Sequence, residues 1–535
     1  MGRWDVGTLG RWTLDPCFGV KWRMRTQWIA ALLLLVSVGC ASAPIKRADE
    51  ASLVVAQTRV LEGCYSCLLE ARDIYARVAV GKARPLVIAR LFEVQVLIGM
   101  RQREFALDSG EAFAKARALA AELPATYAGA PYVDIAEMLA PDAVGTPRTE
   151  RAPFQRTVPT PARFDELKQG LTKGEASAPF RAYISASLDC RGTNPPRRDL
   201  EGESRAIPPD APPLVRYRLL TCPVLRPSLL EGLMKEVPSL AEAGLFMARQ
   251  PTLNITPQYV KNSRAWLTAA NAAVPRSPGI TYSLGAMSQT VGDCKAAIRY
   301  YEDTIALKDL HEDAALQRVI CLGHIGQFVQ AIAGATVIID RAYYNQADAY
   351  YWRAWNHHRR TALPDARADI DKARSMLVNS RVLTLGGVIK YDQDDLVLAE
   401  KDLTEAVRMD PDQCIAHWYL GLVTFKKTEW PLTASRFGAA ATCYEKSAND
   451  NVARLDQMRK SDFEEDFKAT QIAGFEAVIK EDRDQQWGAI LNAANAFARA
   501  EQVETALKWL ERIPADATLR PKADELRKLL TGKLQ

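Results

Sequence analysis

Histidine is scarce in this chain of 535 residues: five, His311, His324, His357, His358 and His417. None belongs to an HExxH pattern, and no GxSxG, GxGxxG or P-loop glycine pattern occurs anywhere. The short motifs that carry zinc hydrolysis, serine acyl transfer, dinucleotide binding or phosphate cradling are therefore missing. An excess of one charge is missing too. Lys and Arg number 69 against 64 Asp and Glu, a net of +5, and Arg3, Arg11, Lys21, Arg23 and Arg25 outnumber Asp5 and Asp15 near the start. The rest is close to balance, without the basic surface that nucleic-acid binding needs. No apolar run reaches the roughly 20 residues that cross a bilayer. Apolar residues at 48% and charged residues at 25% exclude a disordered or collagen-like chain. The length suits about three or four domains.

What is there begins with Ile29–Val38, ten almost wholly apolar residues preceded by Lys21, Arg23 and Arg25. A positive flank, a short apolar core and small residues at its end describe an export signal. The continuation, Val36-Ser37-Val38-Gly39-Cys40-Ala41, resembles the bacterial lipobox, with Ser37 where Leu is usual. That resemblance implies cleavage before Cys40, acylation of its sulfur and a lipid-anchored mature terminus. Residues 1–39 are then leader and signal, with Met24 an alternative start that would leave Cys17 untranslated, and 40–48 form a tether. The absence of Asp after Cys40 favours the periplasmic face of an outer membrane over the inner one, in a Gram-negative host.

The carboxy-terminal half repeats. Ala297, Ala331, Ala366, Ala399 and Thr433 follow one another at spacings of 34, 35, 33 and 34. Twelve residues before four of them stand Gly285, Ala354, Gly387 and Gly421, and four residues after stand Tyr301, Ile370, Leu403 and Phe437. The unit around Ala331 inverts the sizes, with Val319 in the small position and Ala335 in the bulky one. A further unit reads Ala494, Ala506, Leu510, Ile513. Antiparallel helices approach closely only where one presents Gly or Ala, and a bulky residue one turn on fills the groove. One such pair cannot bury its apolar face alone, so pairs stack.

This pattern resembles the tetratricopeptide repeat, whose characteristic pair is matched by Leu284-Gly285 and Leu420-Gly421 and whose inter-helix turn falls at Gly292-Asp293 and Gly326. The resemblance implies an all-α helical-hairpin solenoid that binds proteins or peptides and uses no cofactor. The array runs over 251–446, a degenerate or expanded repeat over 447–486, and a terminal hairpin over 487–530. Residues 49–145 show helical spacing without clear anchors and read as degenerate hairpins. Residues 146–250, with Pro147, Pro153, Pro159 and Pro161, read as a linker and an irregular, mostly helical middle region.

Ten cysteines less Cys17 and Cys40 leave eight, in order Cys64/Cys67, Cys190/Cys222, Cys294/Cys321 and Cys414/Cys443. Export to an oxidising compartment permits four disulfides. Cys294 opens a second helix opposite the next unit's first helix, late in which Cys321 lies; Cys414 precedes a first helix and Cys443 ends its partner. Closing the Cys294–Cys321 loop would stabilise by about 3–4 kcal/mol in the chain-entropy model. Cys64 and Cys67, one helical turn apart, could also form a redox pair, part of a zinc site, or remain as buried thiols; no strand precedes them and no second CxxC or nearby His completes a metal set. Asp392, Asp394 and Asp395 lack the glycine and distal Glu of a calcium loop.

Aromatic residues are dense in the repeats, and Tyr351, Trp352, Trp355 and Trp418 are candidates for lining a peptide groove. The sequence therefore reads as an exported, lipid-anchored, non-enzymatic scaffold. Two other classes stay open: an enzyme with its catalytic module in 146–250, and a glycan- or small-molecule-binding component.

Overall fold

The computed structural model describes residues 12–13, 21–22, 47–79, 85–124, 127, 129–139, 175–192, 207, 210–221, 226–248, 257–308 and 311–534. Apart from a two-residue antiparallel pairing of Trp12–Thr13 with Lys21–Trp22, every described element is a helix. Two compact units divide the chain, one comprising Met1–Val144, Phe154–Pro251 and Ala265–Ile280, the other Gly145–Pro153, Thr252–Arg264 and Thr281–Gln535. The signal segment, Cys40 and Cys222 lie outside the described residues, as does the Cys190 side chain.

The first unit is built around Pro85–Glu104, a helix buried on nearly every side. Two carboxylates on it gather the surrounding helices. Glu93 accepts hydrogen bonds from Arg90 (2.7 Å), the Ser177 backbone N–H (2.7 Å), the Ser177 hydroxyl (2.6 Å) and the Tyr127 hydroxyl. Three turns on, Glu104 pairs with Arg101 and accepts from the Tyr217 hydroxyl at 2.8 Å, with Arg218 at 3.7 Å. Arg101 also reaches Glu242 at 2.7 Å and lies 4.0 Å over the Tyr217 ring. Burial opposes its charge, but Glu104, Tyr217 and Glu242 outweigh that and hold it protonated more firmly than usual.

The described residues between 175 and 248 thus contribute to this unit. Ala178–Gly192 and Pro213–Thr221 are helices, and Tyr183, Tyr217 and Leu214 sit fully inside. Pro213–Thr221 is buried on several faces at once, which leaves the helix no periodic apolar stripe.

The second unit is a succession of helical hairpins. Pro278–Thr290 pairs with Cys294–Leu307, Glu312–His324 with Phe328–Asp340, Gln346–Arg359 with Leu363–Met376, Ser380–Asp392 with Leu396–Met409, and Cys414–Lys426 with Trp430–Arg459. Glu465–Arg499, Val503–Glu511 and a closing helix, Arg520–Leu534, follow. Each turn inside a hairpin is made the same way. One residue adopts a left-handed conformation: Gly292, Gly326, Thr361, Asp394, Thr428 and Glu501, with φ between +60° and +84°. In two of these turns the next residue, Asp293 or Asp395, then caps the second helix by accepting its backbone N–H.

The size pattern read from sequence is the packing itself. Ala297, Ala331, Ala354, Ala366, Ala399, Thr433 and Ala506 are fully buried, as are Tyr301, Leu403 and Phe437, with Ile370 at 1% exposure. A Cβ on Gly285 would stand 2.7 Å from Tyr301, and one on Gly387 only 2.4 Å from Leu403. In the inverted unit the close approach is reversed: Gly334, beside Ala335, has room for no Cβ because Val319 lies 2.9 Å away.

The stretch 447–486 is not a hairpin of its own. It divides between the end of Trp430–Arg459, 30 residues long, and the beginning of Glu465–Arg499, 35 residues long, so the expected boundaries fall inside helices. No proline or glycine interrupts Ala439–Arg459, and the helix simply continues. Cys443 accordingly lies in mid-helix and does not end it.

Candidate functional site

The helix Gln346–Arg359 brings Asp348, Tyr351, Trp352, Trp355 and Arg359 to one side through their three- and four-residue spacing. Trp352 meets Tyr351 edge-on at 5.5 Å and Trp355 at 5.6 Å. Neighbouring helices extend the ring cluster: His324 lies 5.5 Å from Trp352, and Phe328 lies 6.0 Å from Trp355. Tyr351, Trp352 and Trp355 are all half-buried.

Two guanidinium groups rest on these rings. Arg381, at the start of the next hairpin, lies 4.8 Å over Tyr351 and 5.8 Å over Trp352, while Arg359 lies 5.7 Å over Trp355. Both arginines are exposed, and among the described residues neither forms an ion pair. Each cation–π contact is worth about 0.5–1 kcal/mol at an exposed position and orients the planar fork without using up its N–H donors. Burial lowers the His324 pKa below its ordinary 6.5, so that imidazole is neutral at pH 7. Burial raises that of Asp348, partly offset by Arg381. The result is an aromatic surface carrying two outward hydrogen-bond forks. Chemically it can anchor an apolar side chain and a carboxylate together.

Of the four aromatic candidates, Tyr351, Trp352 and Trp355 are brought together and Trp418 is not. Trp418 packs 5.5 Å from Phe437 and 6.5 Å from Tyr444, and a Cβ on Gly488 of Glu465–Arg499 would stand only 3.0 Å from its ring. It is a wedge between successive hairpins. Arg359, Arg381, His324 and Phe328 escaped the sequence reading because no residue-type pattern marks them; the repeat register, which puts the starts and ends of first helices side by side, was the available signal.

The cysteines are placed as follows. Cys64 bonds to Cys67, Cys294 to Cys321 and Cys414 to Cys443. Cys64 is fully buried and Cys67 is 4% exposed, in a cluster with Leu230, Leu233 and Leu240. Packed so, they tie the bend after Arg47–Glu62 to the first turn of Tyr65–Ala79, and their burial restricts attack by a thiolate. Gly63 makes this bend, with φ +73° and Leu214 2.7 Å from where a Cβ would stand.

The histidines serve the array: the His311 imidazole accepts the Ala314 backbone N–H at 3.2 Å, His358 pairs with Asp392 at 2.7 Å, and His357 lies 3.8 Å from Asp369. Asp394 pairs with Lys426 and Asp395 with Arg367. Among the described residues no three metal-ligating side chains converge, and no helix is long and apolar enough to cross a membrane.

Helical hairpins recurring every 33 to 35 residues, each closed by a small side chain against a bulky one, make this an all-α array of the tetratricopeptide type. No family model matches the sequence, and no curated protein is similar to it. Solved structures that resemble it include MamA, residues 41 to the end, from Desulfovibrio magneticus RS-1, at 17% identity over 32% of this chain and 96% of that one, with a TM-score of 0.29. PilW, described as a widely conserved type IV pilus biogenesis factor, is 20% identical over 36% of this chain and 86% of its own, with a TM-score of 0.30. Yeast Tom70 is 11% identical over 91% and 96% of the two chains, with a TM-score of 0.29.

Proposed function

We propose that this chain is a protein-binding scaffold, exported and tethered to the bacterial cell envelope through acylated Cys40, with the outer membrane's periplasmic face as its location. The observation that carries the binding role is the ring cluster Tyr351, Trp352 and Trp355 with Arg359 and Arg381 laid on it. Aromatic and arginine side chains dominate the energetics of protein interfaces, and here they are preset by packing before a partner arrives. The partner that suits them is an extended peptide segment with an apolar side chain next to a carboxylate. No catalytic step is assigned to the chain, and the described part of 146–250 is helix packed within the first unit.

The tether rests on the sequence alone, on the basic-flanked apolar run ending Gly39-Cys40. Disulfides within the repeats suit an oxidising compartment. A diacyl group with an additional N-acyl chain would anchor durably, unlike a single chain.

Two measurements test these halves separately. In fractionated cells, Cys40→Ala is expected to abolish palmitate labelling and release the protein from membranes; equal labelling of the variant removes the tether. Peptides selected on the purified chain are expected to perturb tryptophan fluorescence and to lose at least tenfold in affinity on Arg359→Ala with Arg381→Ala. Undiminished binding by that double variant places the partner elsewhere.

A further inference from the structure

Stacked repeats normally touch only their neighbours, so a contact between distant parts of an array has to be made by something that leaves the stack. The pair Trp430–Arg459 and Glu465–Arg499 does so. Ordinary first and second helices here hold 13 or 14 residues, about 20 Å, whereas these two are about 45 and 52 Å long. Their excess runs side by side, joined by Ser447–Asp482 (2.8 Å), Arg483–Asn449 (2.6 Å) and Arg459–Glu476 (2.8 Å).

The far end of this projecting hairpin meets the first repeat. Gln471 Nε2 donates to the Val291 backbone carbonyl at 3.1 Å, across 180 residues of sequence. The same amide nitrogen would stand 3.6 Å from a Cβ on Gly292, and Glu464, at the hairpin tip, lies 3.8 Å from Arg264 of the same unit. Val291–Gly292 is the turn inside the first hairpin. The projection, by contrast, issues from a connection between hairpins. Because successive helices run antiparallel, these two kinds of turn lie on opposite edges of the array. The projection therefore joins one edge at the carboxy-terminal end to the other edge at the amino-terminal end.

We propose that residues 447–482 form a clasp that fixes the span of the three intervening hairpins and opens reversibly. Its polar closing contacts are Gln471 with Val291 and Glu464 with Arg264, beside the buried Phe463. A ligand that prefers one span of the array would shift the balance between closed and open forms. The extended helices keep their shape in either form, since their mutual packing does not involve the first repeat.

The test uses the full chain with fluorophores at positions 295 and 474, both exposed, introduced through unnatural amino acids so that no thiol is added. The native protein is expected to show a dominant short distance with a minor longer one. Gln471→Ala, and separately Glu464→Ala, are expected to raise the long-distance population severalfold, with unchanged helicity and melting temperature. Faster hydrogen exchange at residues 291–297 should accompany the change. A broad native distribution that neither variant alters, or a single short distance persisting in both, would overturn the clasp. The outcome does not depend on whether any peptide binds at the ring cluster.

Discussion

A Cβ placed on Gly421 would lie 2.7 Å from the Phe437 ring, closer than any side chain can sit without displacing it. The two residues are 16 apart, the separation that also joins Gly285 to Tyr301 and Gly387 to Leu403. Gly421→Val is expected to cost about 1–3 kcal/mol through overpacking. Adding Phe437→Ala should recover part of the loss, since it recreates the size order of Val319 and Ala335. Urea unfolding of the single and double variants checks this; strictly additive losses would show that the pair does not act as one contact.

The turn residue Thr428 is exposed and holds φ at +60°, a poor conformation for a β-branched side chain. Left-handed backbone costs an L-residue about 1–2 kcal/mol, of which glycine's extra freedom in the unfolded chain takes back up to 1 kcal/mol. Thr428→Gly is therefore expected to stabilise by about 0.5–1 kcal/mol, seen as a higher denaturation midpoint. A lower midpoint would mean that the threonine side chain makes a compensating contact.

His324 gives the array an acid sensitivity. Its folded pKa lies below 6.5 because of burial, so the unfolded chain takes up the proton first. Its contribution to stability is complete above pH 6.5 and declines as the pH falls towards the lower folded value. Comparing denaturation midpoints between pH 7.5 and 5 should show a steeper fall in the native protein than in His324→Phe, with tryptophan emission from Trp352 and Trp355 reporting the change. Parallel curves would refute the assignment.

In the first unit, Glu104 neutralises Arg101 and touches Arg218 and Tyr217 with no access to water. Glu104→Gln leaves buried cations with too little negative charge, and breaking such a network costs about 3–5 kcal/mol. Replacing Arg101 and Glu104 together by methionine should cost less than Glu104→Gln alone. Denaturation followed through hydrogen exchange of Pro85–Glu104 separates the two cases.

The period of the array is legible in the sequence because the geometry of a hairpin demands a small residue, another 12 later and a bulky one 16 later, and few other folds impose that spacing. The extent of Trp430–Arg459 is not legible from those anchors, since they mark where helices touch and not where they stop. The central helix of the first unit is obscured for a different reason. Glu93, Arg101 and Glu104 read as surface charges along a sequence, and only the hydroxyls and carboxylate arriving from residues 127 to 242 make them interior. Trp418 illustrates the converse, an aromatic residue whose type suggests a ligand and whose neighbours make it a wedge. Tyr351, Trp352 and Trp355 could be found by density and spacing, whereas Arg359 and Arg381 needed the register between hairpins.

The inverted pair in the second hairpin sets where this chain can be recombined. A chimera that crosses over between hairpins inherits both halves of each fit. One that crosses over at residues 325–327 would join Val319 to a donor's tyrosine, leucine or phenylalanine, doubling the bulk, or would join a donor's glycine to Gly334 and Ala335, leaving a void. Exchange of modules among these repeats is thus confined to the joints outside that hairpin.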